Sequence, residues 1–522
     1  MTLSNPLAKT DLLSAVLAAV IAMGSTALHA EEGGFALRIP KTWLAQANDS
    51  VVTRQTENPS PPEPGGPTLR IPKAWLAQAK EPAVTRQSEN PSPSGSGRPK
   101  NYAIPAMEIV GFDALLSIVD RQFLNDRVYS SNLTSLRDNL HGNWKVDNDP
   151  YQVNQIGHPY QGSMYHGFAR SAGLSYWESA GYTFAGSALW EIAGERSPPS
   201  WNDQVASGIA GSFFGEALFR MANLVLEQGA GMSPFWREWA ATAISPSMGF
   251  NRRVMGYDSI FSSRGAPYYS RLSLGFSGET QNNPGASTRV RPNEALADFS
   301  LDYGMPGKSG YEYTRPFDYF TFQGTASSAN LFENVMTRGL LLGKPYEAGS
   351  NYRGVWGLYG SYDYIAPQTY RISSTALSIG TTAQAWLTKD IALQGTILAG
   401  AGYAAVGTLH GSAEGDYHYG VTPQALLALR LIFGDKASLD VTAREYFVTG
   451  VGGATAGHDN IIRADLAFTW RIQRQHAISI RYLWNRRDAS YATLGDRTQN
   501  RATFGIFYTL LGNERFGAVE WR

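Results

Sequence analysis

The chain has 522 residues, enough for two or three structural units, and its 44 basic and 44 acidic residues give a formal charge of zero. This neutral balance argues against a nucleic-acid-binding protein, which needs a basic surface, and the absence of cysteine excludes disulfides and thiolate metal sites. Charged residues make up 17% of the chain, with 54 glycines, 27 tyrosines and no internal apolar run as long as a membrane helix. This composition is typical of a transmembrane β-barrel rather than a helical membrane protein.

The N-terminus has the pattern of a secretory signal peptide. Lys9 precedes an apolar stretch at 12–23, which is too short to span a bilayer. Small residues follow, and cleavage after Ala27 or Ala30 fits them. The alternative, an uncleaved amphipathic anchor, lacks the polar face that an interfacial helix needs. We therefore predict a signal peptide over residues 1–30 and export of the mature chain.

A duplicated segment follows the signal peptide. Residues 37–61 recur at 69–93, at an offset of 32 residues, among clusters of proline, serine and glycine. Because this composition cannot bury a core, we predict a disordered linker over residues 31–100. The copies carry Trp43 and Trp75, so one interpretation is a tandem pair of binding motifs for an envelope partner. The other interpretation is a plain tether, since disordered segments tolerate duplication well.

Residues 101–260 are predicted to form a small helical domain rich in glycine and glutamate. Apolar residues at a helical period predict a helix over 107–123. Two more helices are predicted over 174–195 and about 203–228, with prolines between them and N-cap residues at the start of the last one.

Small residues recur at every fourth position along the last two of these helices. They are Ser171, Ser175, Ser179, Thr183 and Ser187 in one series, and Ser207, Gly211 and Gly215 in the other. This spacing lets two backbones approach closely. Glycine in a water-exposed helix costs up to about 1 kcal/mol relative to alanine, so close packing is the natural compensation. We expect these helices to pack against each other or against a barrel wall.

Four strings in this region carry a family resemblance. They are NQIGHPYQGSMYHGFARSAG (154–173), FAGSALWEIAGE (184–195), PSWNDQVASGIAGSFFGEALFRM (199–221) and SPSMGFNRRVMG (245–256). Together they resemble an uncharacterised bacterial family, domain of unknown function 3943 (DUF3943), over about residues 100–260. The resemblance implies a Gram-negative envelope protein with a downstream barrel and no known activity.

Seven polar residues that match the family's pattern are candidates for a functional site. The catalytic candidates, a base and three carboxylates suited to metal binding or general acid–base hydrolysis, are His158, Glu191, Asp203 and Glu216. The residues assigned to a helix-locking polar network are Arg170, Glu195 and Arg220. No HExxH or GxSxG motif occurs, Asp203 also fits a helix N-cap, and His158 also fits a loop histidine bonded to backbone. The pattern favours a structural network, without a metal or cofactor, over an active site.

Residues 265–522 are predicted to form the barrel. In 461–472, apolar residues alternate strictly with a face that carries Arg463, Asp465 and Arg471. A soluble sheet is the alternative, but it needs a second layer that no following helix supplies. Twelve strands are predicted: 268–280, 292–303, 317–327, 333–342, 352–363, 370–387, 390–407, 418–433, 437–449, 461–472, 477–488 and 500–511.

The inward faces of these strands are predicted to be charged. The predicted lumen charges are Arg353, Asp363, Arg430, Asp440, Arg444, Arg463, Asp465, Arg471 and Arg481. A barrel of about twelve strands has a narrow interior, so such charges can pair across it and close it. The sequence leaves open a filled lumen, a small pore, or a pore plugged by the helical domain.

The predicted fold is thus an α+β membrane protein with a disordered N-terminal tether, a small helical domain and a C-terminal antiparallel transmembrane β-barrel. We expect it in the outer membrane of a Gram-negative cell with its N-terminal region in the periplasm, in contact with outer-membrane lipid and the barrel-assembly machinery. The favoured function is a structural or narrow-pore envelope protein rather than an enzyme. The alternatives are an envelope hydrolase acting on lipid or glycan, and an interaction scaffold that uses the linker motifs.

Overall fold

The computed structural model describes residues 100–522, apart from 124–130, 148, 230–231, 258–260, 262–264, 284–289, 408–416, 451–456, 493–494, 513–515 and 518–522. The predicted signal peptide (1–30) and almost all of the predicted linker (31–100), with both copies of the repeat, lie outside the described residues. Residues Arg98–Arg522 belong to one compact unit, in which the helices and the barrel pack together.

The first part of the described chain is helical, as predicted. The helices are α1 (Ala103–Phe123), α2 (Leu133–His141), α3 (His158–Ser171), α4 (Tyr176–Leu189), α5 (Trp201–Asp203), α6 (Gly211–Gln228), α7 (Pro234–Ile244) and α8 (Pro246–Val254). Three π-helical segments lie between them: π1 (Val153–Gly157), π2 (Trp190–Gly194) and π3 (Gln204–Ala210). A capping box of Ser175 and Glu178 starts α4, and the Ser200 hydroxyl caps α5 by accepting from the Asp203 N–H.

The second part is a closed antiparallel barrel of twelve strands, which confirms the predicted fold. The strands are β1 (Tyr268–Asn283), β2 (Asn293–Tyr303), β3 (Phe320–Ser327), β4 (Asn334–Ala348), β5 (Tyr352–Ile365), β6 (Ile372–Trp386), β7 (Ile391–Gly407), β8 (Tyr417–Phe433), β9 (Ala437–Thr449), β10 (Gly457–Gln473), β11 (His476–Tyr491) and β12 (Gly495–Leu511). Each strand pairs with its neighbours in sequence, and β1 pairs with β12 to close the ring. Closure removes every sheet edge, as a lipid environment requires.

Ion pairs between distant strands identify the inward face of the barrel. Arg430 on β8 bonds Asp302 on β2 at 2.6 Å, and Arg271 on β1 bonds Asp440 on β9 at 3.0 Å. These strands are not neighbours in the ring, so both pairs cross the lumen. The predicted inward position of Arg430 and Asp440 is therefore confirmed. Apolar residues at the alternate strand positions, such as Trp470, are exposed on the outer face.

The helices lie on the outside of this barrel. Asp363 faces the lumen, where it accepts from Arg338 of β4 at 2.9 Å. The neighbouring Tyr362 must therefore point outward, and its hydroxyl donates to the Gln155 carbonyl in π1, just before α3, at 2.5 Å. Phe214 of α6 packs on the outward Tyr362 and stacks on Phe322 of β3 at centroid distances of 5.8 and 6.4 Å. We call this group of helices, residues 100–257, the helical layer.

This placement corrects the idea that the helices plug the lumen. A single hydrophobic cluster joins the buried face of α6 to outward residues of β1–β5, and to Ala405 and Tyr417 on β7 and β8. One described helical stretch, Trp201–Gln228, is long and apolar enough to cross a membrane, but 89% of its most apolar window is buried inside the protein. This stretch therefore forms the core of the helical layer.

The small-residue series on α6 makes the close contact that its spacing predicts, but with a partner that was not anticipated. A Cβ atom added to Gly211 would lie 2.7 Å from the Cα of Gly162, and one added to Gly215 would lie 2.8 Å from the Cβ of His166. Both contacts are with α3, the segment that carries the HPYQG string, rather than with α4. Residues 158–171 are thus a helix that packs backbone to backbone on α6.

Candidate functional site

Two separate polar clusters are buried in the helical layer. The acidic cluster consists of His158, Glu191 and Asp203. The arginine cluster consists of His166, Arg170, Glu216 and Arg220. All seven side chains are buried or nearly so, and all of them come from α3, α6 and the segments between these helices.

Each residue of the acidic cluster adjoins a π-helical segment. His158 is the first residue after π1, Glu191 lies in π2, and Asp203 is the last residue before π3. π-Helical turns are rare, because their wider turn sacrifices good backbone packing, and they occur mostly at functional sites. Three π-helical segments meet at this one small cluster, which makes it a candidate functional site.

The acidic cluster brings three ionisable groups together. One nitrogen or oxygen atom of each residue lies within 4.8 Å of the others, and His158 Nε2 is 3.8 Å from Asp203 Oδ1. The three side chains are 4%, 1% and 0% exposed, for His158, Glu191 and Asp203 in that order. The structure therefore unites three of the four predicted catalytic residues, in a site closed to bulk solvent.

Neighbouring polar groups hold these side chains in place. The Ser200 N–H donates to Glu191 Oε2 at 2.8 Å, and Asn202 Nδ2 donates to Asp203 Oδ1 at 3.1 Å. Ser207 Oγ lies 3.3 Å from His158 Nδ1. Each residue still keeps one buried atom without a hydrogen-bond partner. These atoms are His158 Nε2, Glu191 Oε1 and Asp203 Oδ2.

The electrostatics of the acidic cluster are unfavourable for negative charge. Burial, reinforced by the charge of Asp203, raises the pKa of Glu191 to about 9. Burial, reinforced by the nearby Asp147, also raises the pKa of Asp203 well above its usual range. In the described part of the chain, neither carboxylate forms an ion pair with an arginine or lysine. Within the described residues, His158 is therefore the only basic side chain paired with either carboxylate.

In the arginine cluster, by contrast, positive side chains balance the charge of the buried carboxylate. Arg170 Nε donates to Glu216 Oε2 at 2.7 Å, and Arg220 Nε donates to Glu216 Oε1 at 2.8 Å. His166 Nε2 lies 3.1 Å from the same carboxylate, and Arg220 Nη1 reaches Asp318 in the β2–β3 connection at 3.0 Å. Burial raises the pKa of Glu216, but the two arginines and His166 outweigh it and hold that pKa well below its usual range.

The structure thus groups the predicted residues differently from the sequence. Glu216, predicted beside His158, lies in the arginine cluster. Glu195, predicted in the polar network with the arginines, instead accepts from Trp190 Nε1 at 2.9 Å and from Ser197 Oγ at 2.8 Å. Asp203 is not the helix N-cap, because Ser200 takes that role and leaves the Asp203 carboxylate free to face His158.

Two partners in the arginine cluster were missed by the sequence analysis. His166 stands four residues before Arg170 on α3, so helical spacing puts both on the face toward Glu216, and that signal was readable. Asp318 lies 98 residues from Arg220, in a barrel connection. No local pattern links residues that far apart, so only the fold identifies this contact.

Comparison with known proteins agrees with the resemblance noted in the sequence. Residues 143–247 match the family described as "Domain of unknown function (DUF3943)". The matched segment lies within the helical layer. It contains every residue of the acidic and arginine clusters, so both clusters lie inside the DUF3943 segment. No match is found among curated proteins.

Solved structures that match this chain include two porins and the translocator domain of an autotransporter, all of low sequence identity. A NanC porin is 8% identical, with a TM-score of 0.24, covering 45% of this chain and 98% of its own. A KdgM porin is 8% identical, with a TM-score of 0.21, covering 46% of this chain and 98% of its own. The translocator domain of the autotransporter NalP from Neisseria meningitidis is 15% identical, with a TM-score of 0.21, covering 46% of this chain and 87% of its own.

Proposed function

We propose that the protein is a non-conducting outer-membrane β-barrel whose outer wall anchors the DUF3943 helices. The observation that carries this proposal is the charge network that crosses the lumen. Arg430 bonds both Asp302 and Asp440 at 2.6 Å, and Arg481 pairs with Asp298 of β2 at 3.3 Å. A mesh of guanidinium and carboxylate groups across a narrow barrel fills the path that a solute needs.

The two best-defined cavities among these side chains, within the part of the chain that the structure describes, are small. One lumen cavity, lined in part by Glu333, Arg463 and Arg501, has a volume of about 20 Å³. A second cavity, beside Arg444 and Tyr446, has a volume of about 10 Å³. A single water needs about 10–15 Å³ of such volume. These cavities suit one or two waters each, and this supports a sealed lumen over a narrow pore.

The outer surface supports the anchoring role. The helical layer covers part of the outward face of β1–β5, including Leu272 and Tyr362, whereas the rest of that face and the outer face of β9–β12 expose apolar side chains suited to lipid. The layer also exposes large apolar groups away from the barrel, including Phe235, Trp236 and Trp239 of α7. We propose that outer-membrane lipid contacts both surfaces. We also propose that the N-terminal region lies in the periplasm, since β1 begins beside the end of β12, at the end of the barrel with the short turns.

Planar-bilayer recording tests the sealed lumen. The purified wild-type protein should give no unit conductance steps. The double variant Arg271→Ala, Arg430→Ala removes both cations that hold Asp440 and should produce steps. The control Arg486→Ala removes an exposed arginine paired with Asp488 and should stay silent. A shift in gel mobility on boiling confirms that each barrel is folded, and steps from the folded wild type would refute the proposal.

An envelope hydrolase is the second candidate, because His158, Glu191 and Asp203 converge. This function requires that a lipid or glycan reaches a cluster that is closed to solvent. Purified protein incubated with outer-membrane lipids or peptidoglycan fragments should then release product, and His158→Ala should abolish that release. Absence of release by the folded wild type would exclude this candidate and leave the anchoring proposal untouched.

A further inference from the structure

We propose that His158, Glu191 and Asp203 bind a divalent transition-metal ion that joins the three π-helical segments of the helical layer. This site goes beyond the anchoring function and revises the sequence-based expectation of no metal. The donor atoms come from three separate places in the chain, at the end of π1, within π2 and at the start of π3. An ion at this point would tie together segments that share no continuous helix.

The unpartnered atoms are the first argument. Buried polar atoms almost always have a hydrogen-bond partner, and each that lacks one calls for an explanation such as an absent ion. Here His158 Nε2, Glu191 Oε1 and Asp203 Oδ2 all lack a partner. All three residues are more than nine-tenths buried. One metal ion would satisfy an atom of each residue at once.

The charge balance is the second argument. Glu216 in the arginine cluster is the same kind of buried carboxylate, and it is matched by two arginines and His166. Glu191 and Asp203 have no such partners in the described part of the chain. Buried charges in proteins are paired or coordinate metals. A divalent cation would balance the charge of both carboxylates and would be bound by His158 through its unpartnered Nε2.

The chemistry of the donor atoms limits which metal ions would bind here. One imidazole nitrogen with carboxylate oxygens suits a first-row transition metal such as Zn²⁺, whose bonds to these donors are about 2.0–2.2 Å. Two donors of a tetrahedral zinc site lie roughly 3.3–3.6 Å apart. The donor atoms of the acidic cluster, which lie within 4.8 Å of one another, would therefore have to close by about 1 Å at the widest pair to bind the ion.

The surrounding groups match what metal ligands usually have behind them. Ligand histidines are held through the other ring nitrogen, and here Ser207 Oγ lies 3.3 Å from His158 Nδ1, which leaves Nε2 for the ion. Ser200 and Asn202 hold the two carboxylates in the same way. Enclosure on all sides makes this a structural site rather than one open to a substrate.

Metal content tests the proposal directly. Full-length protein purified in detergent from an outer-membrane fraction should contain close to one equivalent of a transition metal by elemental analysis. Glu191→Gln and Asp203→Asn should each lower that content at least tenfold. Glu195→Gln is the matched control, since this buried carboxylate one turn along is bonded to Trp190 and Ser197 and should leave the content unchanged.

A titration that needs no variant provides the second measurement. Wild-type protein stripped with a chelator should show faster protease cleavage of the helical layer, and added Zn²⁺ should restore protection, while Mg²⁺ at the same concentration should not. Gel mobility with and without boiling checks that the barrel stays folded throughout. Metal-free wild-type protein that gains no protection from Zn²⁺ would overturn the proposal, as would full metal content in both ligand variants. Neither result bears on conductance, so the anchoring proposal is tested separately.

Discussion

Gly211→Ala is expected to destabilise the helical layer, although the same change usually strengthens a helix. An added methyl group at Gly211 would lie 2.7 Å from the Cα of Gly162 and 3.2 Å from the Pro159 carbonyl oxygen. Both contacts are with backbone, which cannot rotate away as a flexible side chain can. Forcing a methyl group into a packed interior costs about 1–3 kcal/mol. Urea unfolding followed by far-UV circular dichroism and protease sensitivity of the layer should show this loss.

Gly181 provides the matched control for this prediction. It lies on α4, is exposed, and has no atom within 4 Å of an added Cβ. Gly181→Ala should therefore stabilise the layer by up to about 1 kcal/mol through helix propensity alone. Gly211→Leu should prevent the α3–α6 contact altogether, while the barrel still shifts in mobility on boiling. Equal stability of the Gly211→Ala and Gly181→Ala proteins would contradict the packing argument.

Glu216→Gln is expected to have the largest effect of any single charge removal in the layer. The change keeps the size of the side chain but leaves Arg170 and Arg220 without their shared carboxylate. Breaking a buried ion pair by removing one partner costs about 3–5 kcal/mol, because the remaining charge stays buried. The free energy of unfolding of the helical layer, measured in detergent, should fall by this amount.

The control for Glu216 is Glu238, which is more than a third exposed and pairs with Arg252 at 2.5 Å. Glu238→Gln should cost less than about 1 kcal/mol, since exposed ion pairs contribute little. The double variant Glu216→Gln, Arg170→Gln should recover part of the loss, because it removes one of the stranded cations. A cost at Glu216 no greater than that at Glu238 would show that the arginine cluster is not a stabilising network.

The pH dependence of the layer follows from the same carboxylate. The pKa of Glu216 in the folded protein lies well below its ordinary value of 4.5. A group with a lowered pKa contributes stability above the unfolded value, and this contribution is lost as the pH falls toward the folded value. The wild-type layer should therefore lose stability on acidification below about pH 4.5, and Glu216→Gln should lack that part of the loss. Parallel pH profiles for the two proteins would count against the assignment.

The barrel could be predicted from the sequence because its signal is local. A strand turns alternate side chains to opposite faces, so apolar Leu466, Phe468 and Trp470 and charged Arg463 and Asp465 reveal both faces within one segment. The predicted strand 437–449 agrees with the observed β9 at both ends, and the other eleven predicted strands fall on observed ones. The lumen charges were also visible, although their partners across the barrel were not.

The candidate site was only partly predictable, because its grouping depends on which helices touch. His158, Glu191 and Asp203 were chosen for their chemistry, and the structure brings them together. Glu216 was predicted beside His158 but lies in the arginine cluster, and Glu195 was predicted with the arginines but bonds Trp190 and Ser197 instead. The error has a physical cause: α6 packs on α3 through Gly162 and Gly211, and that pairing sets which polar faces meet.

The sequence by itself determined the alternating strands, the closed barrel class and the polar residues of the DUF3943 segment, because each depends on residue type and short-range spacing. The tertiary structure alone decided that the helices cover the outer wall rather than fill the lumen. The reason is that successive residues of a strand point to opposite faces. Tyr362 and Asp363 are neighbours in the chain, yet Tyr362 bonds the helical layer outside the barrel and Asp363 bonds Arg338 inside it. A strand's pattern states that its two faces differ, whereas the element that covers each face is set by contacts between distant parts of the chain.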